Sequence, residues 1–226
     1  MPKSVRQDPR RRAPGAIRRL SFWLLSIPFA LAVSLLLSIA IEAAGIAFGW
    51  WDVDHTQHML VREVAHLQLE SNRRFAGIPT PGESALVVLD FLKTSGLNPT
   101  AWKYFWLARG ASEHTAVWLS VPAGVIDVFL LRLVICAYSL SLMALFAILG
   151  LQEGLVRREL RKWGGGAESA FLYHHLKRWL KPLFVSGWFV YLAAPFTVHP
   201  NWIWIPLGLA LGLIVMATAS LWKRLT

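Results

Sequence analysis

Residues 20–41, LSFWLLSIPFALAVSLLLSIAI, run for 22 positions without a charged side chain. At about 1.5 Å per residue a helix over this run is about 33 Å long, enough to cross a hydrocarbon core of about 30 Å. Everything after the run must then be sorted by side. The preceding residues 1–19, MPKSVRQDPRRRAPGAIRR, carry seven Lys/Arg against one Asp, with prolines at 2, 9 and 14. A basic segment before an apolar run is also the layout of a signal peptide, but a cleavable apolar region spans only about 7–15 residues. An uncleaved first membrane helix over 20–48, behind a disordered basic tail over 1–19, is therefore expected.

Composition agrees. Of 226 residues 55% are hydrophobic and 16% charged, and the mean hydropathy is +0.47, too apolar for an ordinary soluble domain. The net charge of +10 suggests nucleic acid at first sight, yet the bases cluster beside apolar runs instead of spreading over a folded surface. Cys136 is the single cysteine, which excludes an intramolecular disulfide and a cysteine-based zinc cage.

Residues 49–115 mix seven acids with six bases, and apolar runs such as ALVVLDFL are too short to span a bilayer, so a small extramembrane domain, mostly helical, is expected there. The run 116–151 is longer than one crossing needs. Pro122 and Gly124 predict a break within it, giving an interfacial segment followed by the second membrane helix. Asp127 and Arg132 are five positions apart, about 140° around a helix, so they cannot pair with each other, and a deep charge at either needs a partner on another helix. After a basic segment, 152–182, the runs 183–198 and 202–222 are separated by His199, Pro200 and Asn201, which predicts a tight turn over 199–201 and a membrane hairpin ending in a short tail, 223–226. The fold class expected is all-α and polytopic, with four crossings.

Four crossings place the tail, the 152–182 segment and the C-terminus on one side. That side holds 16 of the 23 Lys/Arg residues, which makes it cytoplasmic and both termini internal. The tryptophans fall at the ends of the apolar runs, Trp50, Trp51, Trp118, Trp202 and Trp204 at outer ends and Trp23, Trp179 and Trp222 at inner ends.

Candidate chemistry gathers in two places. RKWGGGAESAFLYHH, residues 161–175, has a glycine triplet, but a phosphate loop needs a Lys-Ser/Thr pair after its glycines and a strand before them, and neither is present. The glycines are better read as a stop for the helix QEGLVRRELRKW, with Glu168 and Ser169 opening the next. His174 and His175 diverge by about 100° on a helix and cannot chelate one ion together. Over 167–181, Leu172, Leu176, Trp179 and Leu180 form one face and His174, Lys177, Arg178 and Lys181 the other, an amphipathic helix suited to the inner leaflet. The outer segment DVDHTQHMLVREVAH offers His55, His58, Glu63 and His66. Arg62 stands in the middle of the histidine sector, and Leu60, Val64 and Leu67 make the opposite apolar face, so an ordinary amphipathic helix accounts for the pattern. No H-E-x-x-H and no G-x-S-x-G occurs, and the acids within apolar runs, Glu42 and Asp127, are near run ends. No catalytic residue, cofactor or metal is expected. A small membrane enzyme or transporter would need a bound cofactor or a polar channel.

The basic N-terminus before the first anchor, the block GLVRRELRKWGGGAESAFLYHHLKR and the terminal hairpin together resemble the integrating conjugative element membrane proteins. The resemblance covers almost the whole chain and is most specific over 154–178; Ala167 stands where a basic residue would be typical. It implies a bacterial inner-membrane protein linked to conjugative type IV secretion, with a periplasmic helical domain over 49–115 and a cytoplasmic basic elbow. The positions carried over are Arg157, Arg158, Gly164, Gly165, Gly166, Glu168, Ser169, Tyr173, His174 and Lys177, joined by neighbouring Arg178 as an interaction surface. The expected role is a non-enzymatic scaffold or docking component, contacting lipid and other conjugation proteins such as the coupling ATPase. An exclusion or regulatory factor acting through the periplasmic domain is the alternative. The seven bases of the tail satisfy the positive-inside rule without DNA, so direct nucleic-acid binding is not expected.

Overall fold

The computed structural model describes residues 16–70, 79–96, 98–164 and 170–221. Their regular structure is entirely helical: α1 (Ala16–Ala47), α2 (His55–Glu70), α3 (Pro81–Thr94), α4 (Pro99–Ala108), α5 (Glu113–Gly164), α6 (Ala170–Ala193) and α7 (Pro200–Ser220). Among the described residues three stretches are long and apolar enough to cross a membrane: Ile27–Ala47, Glu113–Arg161 and Pro200–Ser220. The expected basic tail over 1–19 falls mostly outside the described residues.

The short helices begin where local chemistry dictates. Thr80 caps α3 in a reciprocal box with Glu83, each side chain accepting from the other residue's backbone N–H, and Pro81 supplies a preset φ at the first turn. Asn98 caps α4 by accepting from the Ala101 N–H at 2.7 Å, with Pro99 following.

α5 overturns one expectation. It is continuous over 52 residues, with Pro122 inside it, so no break divides the run. An interior proline costs about 3 kcal/mol, but Val121, Ala123, Val125 and Val128 around it are buried under α2, α3 and α4, and that packing holds the helix together. Gly124 serves close approach: a Cβ there would lie 2.5 Å from the Thr56 hydroxyl of α2.

The second half of α5 packs on α7 through small residues. A Cβ on Gly154 would come 2.5 Å from the Met216 carbonyl oxygen and one on Gly212 2.8 Å from that of Phe146, while one on Gly150 would overlap the Gly212 carbonyl. The contacts advance together along both chains, from Phe146 against Gly208 to Gly150 against Gly212 to Gly154 against Met216, so α5 and α7 run parallel. α6 packs on α7 and returns the chain between them. Trp204 packs edge-on against Tyr191 at 5.3 Å and Trp188 at 6.4 Å and is buried, a core residue instead of the interfacial one its position suggested.

Two further boundaries differ from the sequence reading. The amphipathic stretch and the next apolar run form one helix, α6, with Pro182 inside it, so the basic segment is not a separate helix ending at 182. The apolar part of α6 from Leu183 to Ala193 is about 16 Å long. The HPN sequence starts α7 instead of making the turn: His199 is its cap, its Nδ1 accepting from the Asn201 N–H at 3.3 Å, and Pro200 its first residue. The turn itself is formed by residues 194–199.

Candidate functional site

Two charged contacts join α2 to the long helices α1 and α5. At the first, His55 Nδ1 lies 3.0 Å from Glu42 Oε1, linking α2 to the end of α1, and the imidazole stacks on Trp51 at 4.7 Å between ring centres. Trp51 folds back against Gly45, where any Cβ would enter the indole. Glu42, an acid inside an apolar run, is thus buried with a partner.

The second contact is Arg132 of α5. It is 2% exposed, and its partner Glu63 of α2 is 3% exposed. Nε and Nη2 donate to Glu63 Oε1 at 2.8 and 2.6 Å, Nη1 donates to the Tyr191 and Ala194 carbonyls, and Nη2 donates to the Phe196 carbonyl at 2.9 Å. A guanidinium has five N–H donors in a fixed fork, and here all five are used. The Tyr191 ring lies 5.6 Å from its central carbon, near enough for a cation–π contribution. Arg132 therefore ties together α2, α5 and the end of α6 with the turn after it. Burial pushes the Glu63 carboxyl above its ordinary range, opposed by the Arg132 charge, its hydrogen bonds and the nearby His66. The sequence rule that a deep Arg132 needs a partner on another helix is met.

Around this pair Glu63 Oε2, His66 Nδ1, the Tyr191 hydroxyl and the Thr197 hydroxyl are buried without a hydrogen-bond partner. The His66 ring stands 5.4 Å from that of His199. The outer histidines are thus dispersed: His55 on Glu42, His66 beside His199, and His58 exposed. Among the described residues no group of three or more His, Cys, Asp or Glu side chains is placed to share an ion. What the arrangement does is hold α2 to the long helices by charge, at Glu63 and Arg132 in a site shielded from water.

Glu63 was read as part of a histidine pattern, not as the partner of Arg132. The signal was present: it lies three residues after Leu60 and four before Leu67, on the apolar face itself, where an acid needs a partner.

The interaction surface anticipated at the other end of α5 is described only in part. Arg157 is exposed and pairs with Glu153 one turn back at 2.8 Å, Arg158 is half-buried, and Gly164 is the last described residue of α5. Arg161 donates to the Ser220 carbonyl, satisfying a free acceptor at the C-terminus of α7 and joining the ends of the parallel pair. Arg178 is exposed on α6. Tyr173, His174 and Lys177 lie in α6, with their side chains outside the description, and Gly165, Gly166, Glu168 and Ser169 lie outside the described residues.

Comparison with known families gives a match to the model of the IncC plasmid conjugative DNA transfer protein DtrJ-like family over residues 97–223, more than half of the chain. The chain belongs to the DtrJ-like family. Its role is therefore associated with conjugation. The DtrJ-like region takes in α4 to α7, with Arg132, the glycine seam and the basic segment; α1 to α3, with Glu42 and Glu63, precede it. No curated protein and no solved structure matches the chain.

Proposed function

We propose that this DtrJ-like protein is a non-enzymatic inner-membrane component of a conjugative transfer apparatus, associated with type IV secretion and integrative conjugative elements, that docks a partner through its cytoplasmic basic segment. It crosses the membrane four times with both termini inside. The parallel course of α5 and α7 supports that count: two helices crossing in the same direction need the chain to return between them, and α6 is the returning element. Its basic first half then reaches the inner interface, where Lys and Arg side chains extend to headgroups while their stems stay apolar.

The observation that carries the docking role is the exposure of Arg157 and Arg178 at the end of the bundle where the bases concentrate. The coupling ATPase is the partner class proposed, with anionic lipid sharing the surface. Replacing Arg157, Arg158 and Glu168 together with alanine lowers transfer frequency at least tenfold while membrane insertion is unchanged. Unchanged transfer overturns the docking role.

A second reading, an exclusion or regulatory factor acting through the outer helices, is favoured by the exposed apolar side chains Val61, Leu86, Val87 and Phe91 on α2 and α3. Deletion separates the two: an apparatus component is needed in the donor, an exclusion factor acts in the recipient.

A further inference from the structure

Beyond the basic segment, α2, α3, α4 and the first half of α5 line a half-open cavity of about 570 Å³, within the range that accommodates small organic ligands. Leu60, Leu89, Leu92 and Tyr104 form much of its wall. One acid lines it: Asp127 of α5, 5% exposed, whose Oδ1 is buried without a hydrogen-bond partner.

Arg132, five positions on in the same helix, does not serve Asp127. Arg132 points its five donors at Glu63 and three carbonyls. Lys93 also lines the cavity, but it is exposed and forms no ion pair with Asp127 among the described residues. A carboxyl group withdrawn from water without a donor is a costly arrangement, relieved when something brings a donor to it. Thr56, Gln57, Asn98 and Thr100 add neutral polar groups to the lining, and Asp127 is its one carboxylate; leucine-rich walls with one buried, unpartnered carboxylate oxygen select a ligand that has an apolar body and one positively charged donor.

We propose that this cavity is a binding site for an organic cation, a primary ammonium on an apolar body, with Asp127 accepting from the ammonium. The group arrives either on a small amine or on a lysine side chain flanked by apolar residues in a partner's segment. The site is separate from the basic segment, and its failure leaves the docking role untouched.

The test uses the full chain in lipid nanodiscs, titrated with 2-phenylethylammonium, with 2-phenylethanol as the uncharged match, and with acetyl-Leu-Lys-Leu-amide, empty discs being subtracted. The wild type is expected to bind the ammonium at least about tenfold more tightly than the alcohol, the worth of a charge-assisted hydrogen bond. Asp127→Asn levels the two, and Val61→Trp, at an exposed position on the cavity lining, removes binding of both. Tighter binding of the peptide assigns the site to a partner's segment, and tighter binding of the amine to a small molecule. No preference for ammonium over alcohol in the wild type, or a preference that survives Asp127→Asn, overturns the proposal. Should Asp127→Asn fail to fold, retention of ammonium binding in Val61→Trp overturns it alone.

Discussion

Glu63→Leu and Arg132→Met, singly and together, test whether the buried pair holds the outer helices to the bundle. Removing one partner of a buried pair leaves the other charge without compensation and costs about 3–5 kcal/mol, or about two to three and a half powers of ten in the folding equilibrium. In Glu63→Leu the guanidinium keeps its three carbonyl acceptors but loses its counter-charge, and it cannot shed its proton. In Arg132→Met three carbonyls and a carboxyl lose their donors at once. The double substitution removes both charges. Glu63→Leu should therefore cost about 3–5 kcal/mol in the wild type and nothing further, or be favourable, in the Arg132→Met background, a coupling of that same size. The assay is reversible denaturation of the purified protein in mixed micelles, followed by tryptophan fluorescence. Equal costs of Glu63→Leu in both backgrounds would refute the reasoning.

The same carboxyl predicts a pH dependence. Folding raises its pKa above the ordinary carboxyl value of 4.5, so the folded state binds its proton more readily, and this contribution to stability is full below about that pH and lost as pH rises through the folded value. Arg132→Met removes the main opposing charge and so enlarges the shift; acidification toward pH 4.5 should steady that variant more than it steadies the double variant, and parallel pH profiles would contradict this. Gly150→Leu sets a side chain against the Gly212 backbone, which cannot swing aside, and should cost at least about 1–3 kcal/mol, read as a lower Tm; an unchanged Tm would mean the seam is looser than described. His55→Ala leaves the buried Glu42 without its partner and should cost about 1–3 kcal/mol, and adding Glu42→Leu should recover part of it.

Much of the architecture was legible in local chemistry. The apolar runs and the helical segment between the first two of them follow from hydropathy and periodicity, and each depends on near neighbours only. Pro122 misled because a proline's cost is local, while the packing that offsets it comes from helices distant in sequence. HPN looked like a turn because proline suits both a turn and the first residue of a helix. The parallel seam was signalled by Gly150 with Gly154 and by Gly208 with Gly212, each pair four apart, but spacing alone does not name the facing helix. The Arg132 side of the buried pair was legible as a charge in need of a partner. Its match to Glu63 was hidden by three nearby histidines that drew the eye to metal chemistry.

The proposed topology puts α2 and α3 on the periplasmic side and the basic segment on the cytoplasmic side. With Cys136 changed to serine, single cysteines at Val61, Arg157 and Arg178, all exposed, can be treated in intact cells with a membrane-impermeant maleimide admitted to the periplasm. Cysteine at 61 is expected to label in intact cells, and cysteines at 157 and 178 only after the inner membrane is opened. Labelling of 61 and 178 from the same side would contradict the account.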